Sequence, residues 1–345
     1  MRDVFKLGGE IIQPGEHKLV DLPVSKLSNH IPVALTCHVL HGREPGPTLF
    51  VSAAVHGDEI NGVEIIRRLL RVQELINLKG TLLCLPVVNA YGFITRSRYL
   101  PDSRDLNRSF PGNATGPLAS RLAHLLMKEV VAQSQFGIDL HTAAANRTNL
   151  PQIRSSFDDA RARELAIAFG APVMLKSPER PGSLREAAAK HNVPVIVYEG
   201  GEGLRFDEFA IRVGVRGILG VMLAKSMITL PGDSHVPDQP IEASSSSWVR
   251  APEGGVLLSY KTTGDTVEPD EVIGAIANPY EEVETQIKAP KRGVIIGRTR
   301  LPVVNLGDAL FHIAWLKDVL GVGAHLQHAT GGADSDPIFD EDEIV

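Results

Sequence analysis

Val51-Ser52-Ala53-Ala54-Val55-His56-Gly57-Asp58-Glu59 is an apolar run that stops abruptly at a histidine, with a glutamate three positions further on. The run reads as a buried β-strand, and a helix follows over 61–77, where Val63, Ile66, Leu69, Leu70 and Val72 keep roughly to a 3.6-residue period. Imidazole nitrogen and carboxylate oxygen both ligate zinc, and an i, i+3 pair at a strand end can turn both groups towards one point. Alone, His-x-x-Glu is a weak signal in a chain with 12 histidines. Its weight comes from its surroundings.

Ahead of it, residues 1–46 read as short strands and turns, with Gly8-Gly9, Pro14-Gly15 and Gly42-Arg-Glu-Pro45-Gly-Pro47 as breakers. Behind it, strands are expected over 81–88, 136–141, 172–175 and 193–198, with helices over 118–133, 158–169, 183–191 and 206–223 and a polar, arginine-rich loop over 89–117. Apolar strands alternating with amphipathic helices imply an α/β fold for 47–230, a mixed, largely parallel sheet covered by helices on both faces.

At 231–247 the character changes to a linker with Pro231, Pro237, Pro240 and Ser244-Ser-Ser-Ser247. Beyond it, Ala251-Pro-Glu-Gly-Gly255-Val256 is echoed by Ala289-Pro-Lys-Arg-Gly293-Val294, and each copy leads to a Gly-Asp pair, Gly264-Asp265 and Gly307-Asp308. Two matched β-rich halves predict a small all-β sandwich domain over 248–320. Residues 321–345 lack periodicity and read as a flexible acidic tail.

Composition narrows the classes. Hydrophobic residues make up 43% of the 345 and charged residues 22%, the proportions of an ordinary globular protein. The formal charge of −6 resides in the tail, which carries Asp334, Asp336, Asp340, Glu341, Asp342 and Glu343 without a lysine or arginine. The remainder is balanced, which excludes the electrostatic footprint of a nucleic-acid binder. There is no apolar run long enough to span a membrane and no apolar signal core near Met1, so a cytoplasmic protein is expected. Cys37 and Cys84 lie within apolar, β-like runs and read as buried thiols.

In open α/β sheets ligands gather outside the carboxyl ends of the strands. Asp139-Leu-His141 ends one strand there and Glu199-Gly-Gly another. His56, Glu59 and His141 form a three-ligand zinc set with a fourth position for water, the pattern of a catalytic rather than a structural site. Asp139, on the same side of its strand as His141, is either a partner of an imidazole N–H or an acceptor of backbone bonds. Glu199 has the chemistry to take a proton from water and deliver it to a leaving amine. The loop from Arg96 to Gly112 carries Arg96, Arg98, Arg104 and Arg108; guanidinium groups hold carboxylates bidentately and steady an oxyanion.

Taken in order, His56-Gly-Asp-Glu59, Asn89 to Phe93, Arg98-Tyr99, Asp105-Leu-Asn-Arg-Ser-Phe-Pro-Gly112, Asp139-Leu-His141 and Glu199-Gly-Gly resemble the succinylglutamate desuccinylase/aspartoacylase family of zinc carboxypeptidase-like hydrolases, over roughly 45–225. The resemblance implies one Zn2+ on His56, Glu59 and His141, with Glu199 as general acid/base. It also implies Arg98 against the scissile carbonyl, with Asn107 and Arg108 on a substrate carboxylate. Arg98 stands two residues further from the Asp-Leu-Asn-Arg motif than in aspartoacylase, so Arg104 and Arg96 stay open for the polarising role. Arg185, in Pro181-Gly-Ser-Leu-Arg185, is a further candidate for the substrate. The C-terminal repeat resembles a biotinyl/lipoyl-like domain, which implies an all-β barrel-sandwich, but the hairpin Asn278 to Gln286 lacks the carrier lysine, which leaves a lid, a wall of the site or an oligomer contact.

The expected function is a zinc-dependent deacylase acting on an N-acyl amino acid or similar small carboxylate, with neither nucleic acid nor membrane as partner and a homo-oligomer open. Ester or carboxypeptidase-type hydrolysis on the same zinc, and a non-catalytic zinc-binding scaffold, are the competing readings.

Overall fold

The computed structural model describes residues 2–229, 239–317, 319 and 322. The first half contains β1 (Phe5–Leu7), β2 (Glu10–Ile12), β3 (Glu16–Lys26), β4 (Pro32–His41), β5 (Glu44–Ala53), α1 (Asn61–Leu69), β6 (Lys79–Leu85), α2 (Ala90–Thr95) and α3 (Leu118–Glu129). Next come β7 (Phe136–Ala143), β8 (Arg147–Ser155), α4 (Ala160–Phe169), β9 (Val173–Lys176), α5 (Leu184–Lys190), β10 (Val195–Glu202) and α6 (Glu208–Ala224). The remainder is β-rich: β11 (Ile241–Ala243), β12 (Ser246–Arg250), β13 (Gly255–Ser259), β14 (Thr266–Val267), β15 (Val272–Ala277), β16 (Glu284–Lys288), β17 (Gly293–Thr299), β18 (Val303–Val304) and β19 (Ala309–Trp315).

One sheet of 13 strands runs through the molecule; ten follow the order β12-β19-β17-β8-β10-β7-β5-β6-β4-β3, and β9, β11 and β14 pair off that path. Its centre is parallel, β10 to β7, β7 to β5 and β5 to β6, and antiparallel strands flank it on either side. The central strands are apolar on both faces because both faces are covered. Leu49, Val51 and Ala53 of β5 pack with Ile65, Ile66, Ile211 and Ile218 on one side. Phe50 points the other way, into a second core with Leu122, Leu126 and Leu184. This strict alternation fixes the register, since a one-residue slip would exchange the two cores.

Two differences from the sequence reading bear on the site. Residues 147–155, in the gap between the expected strand over 136–141 and helix over 158–169, form β8, which links the central sheet to the C-terminal region. Within the expected linker, Ile241–Ala243 pairs parallel with β9, and β12 already begins at Ser246. Residues 231–238 of that linker, Leu230 before it and nearly all of the expected tail lie outside the described residues.

The sequence repeat is a structural repeat. Ala251 and Ala289 are both buried, and β13 and β17 start at the matched glycines. Asp265 Oδ2 accepts from the Thr262 N–H at 2.7 Å, and Asp308 Oδ2 from the Asn305 N–H at the same distance. The two copies enter different sheets, β13 the four-stranded β16-β15-β13-β18 and β17 the main one. Their shared core includes Leu257, Ile273, Ile287, Ile295, Leu310 and Phe311. Cys37 and Cys84 are free and buried, and burial pushes both thiols above their ordinary range. Among the described residues no helix is long and apolar enough to cross a membrane.

Candidate metal centre

The site is built where β5 and β7 end side by side. Ser52 is in register with Asp139 and Ala53 with Leu140, so the residues just past Ala53 meet His141 at one sheet edge. The chain leaves β5 through Ala54 at φ +48, a left-handed conformation costly for alanine. Two backbone bonds hold the bend, Val88 N–H to the Ala53 carbonyl at 3.0 Å and Asn89 N–H to the Ala54 carbonyl at 2.9 Å. In the turn that follows, Gly57 is demanded by space, because a Cβ there would lie 1.9 Å from the Gly92 carbonyl carbon.

These constraints bring His56, Glu59 and His141 together, all three buried, with one potential ligand atom from each within 4.8 Å of the others. Both imidazoles turn Nδ1 to the same carboxylate, His56 to Glu59 Oε1 and His141 to Oε2, each at 2.7 Å. The far nitrogens are engaged by aspartates, His141 Nε2 with Asp139 Oδ2 at 2.8 Å and His56 Nε2 with Asp105 Oδ1 at 3.1 Å. Asp139 and Asp105 accept from the Nε2 side, while the Nδ1 atoms face the Glu59 carboxylate at the inner side, where a metal would displace any proton they carry. Ser52 Oγ donates to the other oxygen of Asp139 at 2.8 Å. Burial pushes Glu59 upward, but the two facing imidazoles outweigh it and hold the carboxyl well below its ordinary range. Two imidazole nitrogens, deprotonated as a metal binds, and an ionised carboxylate form a donor set that fits a divalent metal.

The centre opens into a cleft of about 240 Å³. Of the residues expected in the site, His56, Glu59, Arg98, Asn107, Arg108, His141, Arg185 and Glu199 all line it. Arg98 donates from Nη2 to Asp105 Oδ2 at 2.9 Å and lies 3.3 Å from Glu59 Oε1 through Nη1. The Asn107 side-chain oxygen accepts from the Leu184 N–H at 2.9 Å, which leaves its amide group to donate. Arg185 Nη2 is held by the Pro178 and Ser177 carbonyls at 2.7 and 3.0 Å, while its buried Nη1 has no partner.

Arg104 is the exception. Its side chain is 58% exposed, 3.7 Å from Asp102, and does not line the cleft. The turn at Ser103, φ +61, carries it outward between the buried anchors Leu100 and Leu106. Arg96, at the left-handed end of α2, is exposed as well.

The structure adds residues that spacing did not reveal. Asp105 lies within a quoted motif but had no role assigned. Arg147, Asn149, Arg154, Arg180 and Trp248 also line the cleft. Trp248 comes from β12 and stacks on His312 of β19, with centroids 4.8 Å apart and planes 9° apart, while the Arg147 guanidinium sits 5.3 Å from the indole centroid. His312 donates or accepts at Ser246 Oγ through Nε2, and its Nδ1 is buried without a partner. Burial first, then Arg154 and Arg180, lower its pKa to about 3.

That shift has a consequence for stability. His312 stays neutral in the fold while the unfolded chain takes up a proton below its ordinary value of 6.5, so its contribution is complete above pH 6.5 and declines as pH falls towards 3. The His312 contribution is expected to be about 2 kcal/mol smaller at pH 5 than at pH 7. Urea unfolding of wild type and His312→Gln at both pH values checks this. An unchanged difference between the two proteins across that interval contradicts it.

Residues 45–224 match the succinylglutamate desuccinylase/aspartoacylase catalytic domain, more than half of the chain. The chain belongs to that family. It is 26% identical over 320 residues to the N-alpha-acetyl-L-2,4-diaminobutyric acid deacetylase of Halomonas elongata, a match that covers 89% of this chain and 93% of the relative. Its fold is shared by a succinylglutamate desuccinylase/aspartoacylase from Rhodobacter sphaeroides, with TM-score 0.76, 23% identity and coverage of 90% of this chain and 96% of the other. It is shared too by the product-bound ectoine utilization protein EutE (DoeB) from Ruegeria pomeroyi, with TM-score 0.79, 18% identity and coverage of 91% and 96%. At 90% and 91% of this chain, the likeness extends past the matched catalytic domain.

Proposed function

We propose that this protein is a zinc-dependent deacylase that hydrolyses the amide bond of an N-acyl amino acid or a related small carboxylate. The observation that carries the reading is the convergence of His56, Glu59 and His141 in a cleft that also holds Glu199 and Arg98. The deacylase relative in Halomonas elongata supports the reaction class.

In this reading the two Nδ1 atoms and the Glu59 carboxylate would hold the ion, with Asp105 and Asp139 fixing the rings. Zinc supplies a Lewis-acid charge that makes water a usable nucleophile near neutral pH. Glu199 takes the proton from the attacking water on a carboxylate oxygen and delivers it to the departing amine nitrogen. Arg98 faces the carbonyl oxygen as negative charge gathers there, and its bond to Asp105 keeps the guanidinium aimed. Asn107 and Arg108 hold the substrate carboxylate.

The charge of the cleft narrows the substrate. Six arginines (98, 108, 147, 154, 180 and 185) line it against the carboxylates of Glu59, Asp139 and Glu199, each of which already has a task. Among the described residues, no further carboxylate lines the cleft to receive a substrate ammonium group. N-acyl derivatives of acidic amino acids are therefore expected to be better substrates than N-acetyl-2,4-diaminobutyrate, by at least about tenfold in kcat/KM. Assay of the zinc-loaded protein over a panel graded in acyl length and in side-chain charge tests both statements. Preference for the diamino acid would overturn the charge argument; absence of hydrolysis over the whole panel would remove the deacylase reading.

A further inference from the structure

We infer that the C-terminal β region is a working part of the catalytic apparatus: through Gly297 it keeps Asn149 in the pose that orients Glu199, which makes Asn149 and Gly297 positioning residues. The inference rests on the reading of Glu199 as the proton carrier.

Glu199 stands near the end of β10, in register with His141 of β7 on one side and with Gln152 of β8 on the other. Directly after it the pairing with β8 shifts, so that Gly201 lies opposite Asn149. Irregularities of this kind re-aim side chains, and here the result is a hydrogen bond from Asn149 Nδ2 to Glu199 Oε2 at 2.9 Å. The Arg154 Nε lies 3.5 Å from Oε1 and makes no hydrogen bond. Among the described residues the Asn149 amide is the one hydrogen-bond donor to this carboxylate, with Arg154 beside it as an ion-pair partner.

Asn149 is in turn set by the C-terminal region. Strand β17 continues the sheet beyond β8 and pairs Gly297 with Asn149, Arg298 with Thr148 and Thr299 with Arg147. Gln152 Nε2, one pleat further along, donates to the Ile296 carbonyl at 3.0 Å. Gly297 sits at a second irregularity, where β17 shifts against β19. It is not among the glycines with positive φ, so backbone conformation does not explain it. Space does. A Cβ at 297 would lie 2.7 Å from Asn149 Oδ1, 3.3 Å from the Thr148 carbonyl oxygen and 3.5 Å from His312 Cβ. Pairing on both sides of β17 holds the backbone in place, so the carboxamide is the group that must yield. Turning it takes Nδ2 away from Glu199. A glycine in the appended region, outside the cleft lining, thereby controls the aim of a group inside it.

The test combines kinetics with a substrate-free measurement. On a compound that wild type cleaves, Asn149→Ala and Gly297→Ala are each expected to lower kcat by about tenfold or more with KM within about twofold, since they disturb orientation and not substrate binding. The double variant is expected to be no worse than either single one, because both remove the same contact. It also lacks the atom that the new methyl would meet, so it carries the test if Gly297→Ala alone folds poorly. Effects that multiply, or that fall mainly on KM, overturn the inference.

The second arm follows the side-chain amide signal of Asn149 by proton–nitrogen correlation NMR, identified by its loss in Asn149→Ala. It is expected to move in Gly297→Ala and in Glu199→Gln; a signal unmoved in both overturns the inference without reference to activity. If wild type cleaves nothing, the deacylase reading falls, and this arm still decides whether the β region holds Glu199.

Discussion

Glu199→Gln is expected to lower kcat by about a thousandfold while KM and metal content stay near wild type, a loss at the centre of the range for removal of a general acid/base. The substitution preserves shape and keeps an oxygen for Asn149 to donate to, so the local structure at 2.9 Å from that amide is retained. Under the proposed mechanism, what it removes is the ability to hold a proton between attack and departure. Glu199 is not one of the three residues that converge as metal donors, so a loss of zinc is not expected to confound the result. Measurement of kcat and KM on the best panel substrate, with zinc quantified in the same samples, is the check. Full activity in the glutamine variant would remove Glu199 from the mechanism.

The second large effect concerns Arg98. Arg98→Ala is expected to lower kcat by about a hundredfold to a thousandfold, the cost of losing a donor to a developing oxyanion. Sequence spacing left Arg96, Arg98 and Arg104 as candidates, and the structure separates them. Only Arg98 lines the cleft, part-buried and bonded to Asp105, whereas Arg104 is paired loosely at the surface with Asp102. Arg96→Ala and Arg104→Ala are accordingly expected to stay within about twofold of wild type. Because Asp105 also holds His56, zinc content must be measured beside activity in Arg98→Ala. Loss of activity in Arg104→Ala with Arg98→Ala unaffected would reverse the assignment.

The main lines of the fold were legible because they rest on patterns of apolar residues. The run ending at His56 and the strand ending at His141 announce themselves through unbroken hydrophobicity, and two parallel neighbours must place their polar ends at one edge. The repeat of Ala-Pro and Gly-Asp was legible because each Gly-Asp closes the same turn.

Strand β8 was not legible. It carries Pro151 and it buries Asn149 and Gln152, whose polarity looks like loop until their partners, the Glu199 carboxylate and the Ile296 carbonyl, are in place. Asp105 was hidden for a related reason: its partner is 49 residues away, and no local pattern marks an acid that holds a distant imidazole. The expected helix over 61–77 stops at Leu69, and residues Gln73–Asn77 form a separate 3-10 turn, since apolar periodicity persists across a break in the backbone. Trp248 entered the cleft through the sheet itself, because β12, β19 and β17 extend the same sheet that carries the metal donors.

The most direct test of the central claim is the zinc content of the purified protein, wild type beside the His56→Ala/His141→Ala double variant, after equilibration with equal zinc and gel filtration. One zinc per chain in wild type and close to none in the double variant is the predicted result. Zinc retained undiminished in the double variant would contradict the assignment of the site.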